Sequence, residues 1–154
     1  MIIEFSRGSK CKKYHDHFSK AIYFFLKELK IPVKELERIF INVSIKNTGF
    51  GDFDVVGQVW NPFEDPIEDG IINIKLDIRQ RYHVKKMLST IAHECVHIKQ
   101  YVMGELKDNK VTTSWKGKRY KDDLDPKYLA YEVPWEKEAY SKQDLLVEKF
   151  LSSG

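Results

Sequence analysis

The sequence predicts an α+β domain in which helices cover one face of a small mixed or antiparallel sheet of about three strands. Two long segments repeat their apolar residues at helical spacing, and a third opens on Pro134. Between the first two, three shorter segments alternate apolar and polar residues as half-buried strands do. The 154 residues suit one domain, 1–154, and can bury a sizeable core without disulfide staples.

The first helix is expected over residues 9–30. Tyr14, Phe18, Ala21, Ile22, Phe25 and Leu29 fall on one side and the lysines on the other. Ser9 is placed to cap its start, and Pro32 ends it or lies just beyond. A strand over 39–45 puts Ile39, Ile41, Val43 and Ile45 on one face. A second, over 53–60, follows the turn-like Gly49-Phe50-Gly51-Asp52, and a third, over 71–78, alternates Ile72, Ile74, Leu76 and Ile78 with polar residues. The short connections favour hairpin-like antiparallel neighbours, with room for one parallel pair. The next helix, over 82–103, carries the stripe Val84, Met87, Leu88, Ile91, Cys95, Ile98 and Val102, and Gly104 supplies its stop. Residues 105–133 are polar and read as irregular. Pro134 occupies the favoured first position of a last helix, which runs to about residue 151.

Composition excludes several classes of function. A net charge of +3, spread among lysines that alternate with acids, gives no reason to expect a nucleic-acid partner. Cys11 and Cys95 form no disulfide pattern and read as free thiols, which suits a reducing compartment. The opening Met1-Ile2-Ile3-Glu4-Phe5 lacks the basic start of a signal peptide, and no apolar run is long enough to cross a bilayer. A cytoplasmic protein without a membrane partner is expected.

The chemistry lies in His93-Glu94-Cys95-Val96-His97. Histidines four apart on a helix project from one side, one turn apart, and can share one tetrahedral zinc ion. Glu94 sits roughly 100° round the helix axis from His93, beside the metal rather than on it. There it can act as general base toward the attacking water. By chance this pattern would occur in such a chain on the order of one per cent of the time. The helical context strengthens it. Ile91, Cys95 and Ile98 face the core, while His93 and His97 share another face with Lys86, Thr90 and Gln100.

Catalytic zinc needs a third protein ligand. His83 begins the same helix and is too far along it. His15 and His17 lie on the lysine-rich first helix and read as solvated or capping side chains. The segment Pro134-Trp135-Glu136-Lys137-Glu138-Ala139-Tyr140 offers two glutamates in the first turn of a helix that the small Ala139 lets pack closely. Glu136 or Glu138 would complete a His-His-Glu set.

These residues are similar to the gluzincin group of zincin metallopeptidases, in which His-Glu-x-x-His is followed downstream by Glu-x-x-Ala. The Pro134–Ala139 segment also resembles small phage-type or SprT-like minimal peptidase domains. The resemblance covers residues 84–140. It implies a zincin-like fold with zinc (Zn2+) held by His93, His97 and Glu136, and Glu94 as the base. It also implies hydrolysis of a peptide or protein substrate, and a phage-type member would act in the host cytoplasm. Tyr128 and Tyr131 are candidate donors to the oxyanion, and Tyr101 could line the cleft. Residues 71–78 are the expected sheet edge for an added substrate strand, with Trp115-Lys116-Gly117-Lys118 as a lid or subsite. Peptide deformylase is set aside, because that family needs a cysteine ligand on a strand. The alternative is a zinc-stabilised binding or regulatory module without peptidase activity, which would have no use for Glu94.

Overall fold

A computed structural model describes residues 1–50, 55–109, 112–121 and 132–153. Its order is β1 (Ile2–Phe5), a 3-10 turn (Lys12–Tyr14), α1 (His15–Glu28), α2 (Val33–Leu36), β2 (Ile39–Lys46), β3 (Gly57–Val59), β4 (Ile72–Arg79), α3 (Val84–Val102), β5 (Leu106–Asp108), β6 (Thr112–Trp115), β7 (Lys118–Lys121) and α4 (Pro134–Ser152). The fold is α+β. A mixed sheet runs in the order β1-β2-β4-β3, and β5, β6 and β7 form a separate antiparallel meander.

Alternation in β2 and β4 builds one side of the core. Ile39, Ile41, Val43 and Ile45 are buried on the same face as Ile72, Ile74, Leu76 and Ile78. Burying each such side chain stabilises the fold by about 1.5–3 kcal/mol. Phe18, Ala21, Ile22, Phe25 and Leu26 of α1 join the same cluster, with Met87, Leu88, Ile91, Cys95 and Ile98 of α3. No helix among the described residues is long and apolar enough to cross a membrane.

Several elements differ from the sequence expectation. The first helix begins at His15, because Ser9 is committed elsewhere. Its buried Oγ accepts a hydrogen bond from the Ile45 backbone N–H at 2.9 Å, fastening the chain after β1 to β2. β1 itself, four residues long, pairs parallel with β2. The segment expected to be irregular contains the meander. Its β6–β7 turn places Lys116 and Gly117 at φ 48° and 86°, the left-handed pair that closes a tight hairpin.

The third expected strand is not an edge. β4 pairs parallel with β2 along its whole length and antiparallel with β3 on its other side. The chain leaves β2, passes beyond the site of β4 to lay down β3, and returns between them. The free edge next to α3 therefore belongs to β3. Burial on both flanks explains Asp77, which is 1% exposed although it lies on the polar side of the alternation. Its Oδ2 takes a hydrogen bond from Trp60 Nε1 at 3.0 Å and pairs with Lys46 Nζ at 3.2 Å, which fastens the end of β3 to the sheet.

Candidate metal centre

The helix carrying the histidines is anchored on two sides and at its C-terminal end. Its apolar stripe faces the core as expected, and it ends as the sequence indicates. Gly104 (φ 71°) donates to Tyr101 O at 3.0 Å, and Glu105 N–H donates to Gln100 O at 2.9 Å. α4 packs along another side through Ala139, which has no exposed surface. This second cover buries Lys99 and Gln100, which the polar character of that face did not suggest.

His93 and His97 turn their Nε2 atoms toward each other at 3.3 Å. Each ring is held from behind. His93 Nδ1 is 2.8 Å from Gln143 Oε1, and His97 Nδ1 is 2.8 Å from Gln100 Oε1. An amide oxygen only accepts, so in each ring Nδ1 carries the proton. The amide of Gln100 is oriented by its own donor bonds: Nε2 gives hydrogen bonds to Trp135 O at 2.9 Å and Glu138 Oε1 at 3.0 Å. In the neutral tautomer, both Nε2 lone pairs then face one small space.

The glutamates of α4 have separate places. Glu136 meets both imidazoles, with Oε2 3.4 Å from His93 Nε2 and Oε1 2.5 Å from His97 Nε2. Burial raises its proton affinity, but hydrogen bonds from His93 and His97 outweigh this and hold its pKa at about 2. For His97, burial opposes the charged form, yet Glu136 and the nearby Glu94 carry its pKa to about 9. Glu138 faces away from the imidazoles and binds Lys99 Nζ at 2.9 Å and Lys142 Nζ at 3.2 Å. It is a buttress for Gln100 and the α3–α4 contact. Its pKa falls to about 2: burial pushes upward, while Lys99 and Gln100 pull it down more strongly.

That depression gives a prediction for the metal-free protein. A carboxyl whose folded pKa lies below its unfolded value of about 4.5 stabilises the fold above that pH, and the contribution disappears as pH falls toward 2. Glu138→Gln is expected to cost about 1–3 kcal/mol at pH 7. The gap from wild type should shrink below pH 4.5. Urea unfolding across this range checks it, and a gap independent of pH would remove the charge from the explanation.

Glu94 lies on the other flank of the histidines, beneath β3. Burial pushes its pKa up, the charges of His97 and His93 oppose that, and the Val59 backbone N–H donates to it. His93, Glu94 and His97 place one potential ligand atom each within 4.8 Å of one another. Gly57 permits this approach of β3. A Cβ built there would stand 2.7 Å from Thr90 Cγ2 and 3.1 Å from Glu94 Cγ. Thr90 is short and β-branched, with Oγ1 donating to Lys86 O at 3.1 Å, and Glu94 is buried, so neither moves aside freely. Gly57→Ala should therefore lower the unfolding free energy by about 1–3 kcal/mol. Wild-type stability in that variant would show that β3 moves away at no cost.

The centre opens into a cleft of about 800 Å³. The free edge at Val55–Val59 forms one wall, and Tyr101, Leu106, Trp135 and Tyr140 line others. The Tyr140 ring meets His93 edge-on at 4.6 Å. Trp115 does not reach the cleft directly; its ring leans on Trp135 at 6.3 Å. Tyr128 and Tyr131, the expected oxyanion donors, lie outside the described residues. The remaining histidines stand apart from the centre. His15 stacks on Phe5 at 3.9 Å, His17 lies against Phe150 at 5.3 Å, and His83 sits at the N-cap of α3.

Sequence reasoning placed His93, Glu94, His97 and Glu136 together, and the structure brings them to one point. It missed Gln100, Gln143 and Gly57. Gln143 was the most accessible of these, because Glu136, Ala139, Tyr140 and Gln143 recur at helical spacing and share a side of α4.

The donor types fit a divalent cation, and two of their three separations do as well. Two nitrogens bound at about 2.0–2.1 Å to one tetrahedral zinc lie about 3.3–3.4 Å apart. The two Nε2 atoms have that separation, as does the His93 Nε2 to Glu136 Oε2 pair. The 2.5 Å contact of Oε1 with His97 is tighter and is that of a charge-assisted hydrogen bond. The partly buried Glu136 holds His97 in its charged form, and a dication displacing that proton would meet the same carboxylate. No family model, curated protein or solved structure matches the chain.

Proposed function

We propose that the chain is a zinc-dependent peptidase of zincin type, with His93, His97 and Glu136 as ligands and Glu94 as general base. One observation carries the reading. Both imidazoles have Nδ1 tied to a glutamine oxygen, and their Nε2 atoms converge 3.3 Å apart on the Glu136 carboxylate. That is how imidazole ligands are commonly oriented, by a hydrogen bond at the nitrogen turned away from the metal.

Zinc at this point would supply Lewis acidity, polarising a carbonyl and lowering the pKa of water toward ~7. The rest belongs to the chain. Glu94, with its proton affinity raised by burial, takes a proton from the attacking water and returns it to the leaving amine. Val59 N–H holds the carboxylate in place. The free edge of β3 aligns an extended peptide by backbone hydrogen bonds. Tyr140, whose ring meets His93 on the cleft wall, would turn its hydroxyl to the developing oxyanion.

The test is elemental analysis of freshly purified protein, with cleavage of a mixed peptide library. About one zinc per chain and chelator-sensitive cleavage are expected. Protein that neither carries nor takes up zinc would end this reading. Zinc without cleavage would favour a metal-stabilised binding module.

A further inference from the structure

Resting on that reading, we infer that the cleft selects peptides with an acidic side chain about three residues from the scissile bond, held by Arg81 and Lys86. Both side chains line the cleft, and neither has an ion-pair partner among the described residues. The acids nearest the reacting centre, Glu94 and Glu136, are engaged there. The two ends of the cleft therefore differ: Arg81 and Lys86 make one cationic, while Tyr101, Leu106 and Trp135 make the other aromatic and apolar.

The scaffold fixes where the cationic end falls on a bound peptide. Lys86 lies seven positions before His93 on the same helix. At a rise of about 1.5 Å per residue this is roughly 10 Å along the cleft. An extended peptide covers that in about three residues. β3 follows the same direction. Val59 donates to Glu94, and Gly57 stands over Thr90 and Glu94. Val55 and Val56 continue toward Arg81, for Arg79 donates its backbone N–H to Val56 O at 2.8 Å and Nε to Val55 O at 2.8 Å. A peptide lying on this edge passes the metal ligands and then reaches the two cations. A carboxylate there gains charge-assisted hydrogen bonds, bidentate in the case of Arg81.

The test uses two peptide pools of equal length that differ only in carrying Glu and Asp or their amides Gln and Asn. Cleavage by wild type and by Arg81→Gln/Lys86→Gln is compared. Binding of fluorescent pools to zinc-loaded Glu94→Gln, with and without the two cation substitutions, is measured alongside. The acidic pool should be favoured about tenfold by wild type in kcat/KM and by Glu94→Gln in affinity. Both preferences should vanish in the variants that lack the cations and weaken in 0.5 M salt, where screening acts within about 4 Å. Equal handling of the pools, or a preference that survives loss of both cations, overturns the inference. Charge-selective binding without cleavage would uphold it while the peptidase reading fails.

Discussion

Glu94→Gln is expected to reduce peptide hydrolysis by roughly 10²–10⁴-fold in kcat while zinc content stays at the wild-type level. The substitution changes almost no volume, and the amide oxygen still accepts the hydrogen bond from Val59 N–H. What it removes is the site for a proton. The residue is only 6% exposed, and Gly57 lets β3 lie directly against it. Turnover with the library and metal analysis by mass spectrometry check both halves. Retained turnover would assign the base elsewhere. Lost zinc would make Glu94 a ligand, which its closeness to His93 and His97 makes a concrete alternative.

The second large effect concerns Glu136. Glu136→Ala should weaken zinc binding by more than about 100-fold, beyond the 10–100-fold typical of groups that only support ligands. Glu138→Ala should weaken it by no more than about tenfold, because Glu138 acts on His97 only through Gln100. Competition against a chromophoric chelator measures both. The contrast is more informative than either value, since both glutamates open the same helix and both substitutions lose one negative charge. Undiminished zinc affinity in Glu136→Ala would remove it from the ligand set, and a larger loss in Glu138→Ala would reverse the assignment.

The elements with long, regular periods were legible from the sequence. β2 and β4 alternate over eight residues each, and α3 and α4 carry a glycine stop and a proline start. Short elements were not. β1 has four residues, and the meander strands have three or four, too few for alternation to stand out from a polar background. Lys116-Gly117 was an available turn signal for the β6–β7 hairpin. Strand order failed for a different reason. Loop length constrains which strands are close but does not say that the returning strand enters between two already laid down. In the site, the ligand-type residues were legible because His-Glu-x-x-His and Glu-x-x-Ala place chemistry at fixed helical offsets. Gln100 and Gln143 were not, because an amide becomes a support only through what it faces across the α3–α4 contact.

That contact also sets an order of events during synthesis. α3 is complete at Val102, but Glu136, Glu138 and Gln143 all belong to α4, which begins at Pro134. A nascent chain that has emerged only through α3 holds the two histidines and Glu94 without a third ligand, without the amide behind His93 and without the carboxylate that orients Gln100. On the proposed reading such a chain is a poor zinc binder and an idle hydrolase. On that reading hydrolysis waits on the docking of α4, so a chain that stops at α3 is in no position to cut itself or its neighbours.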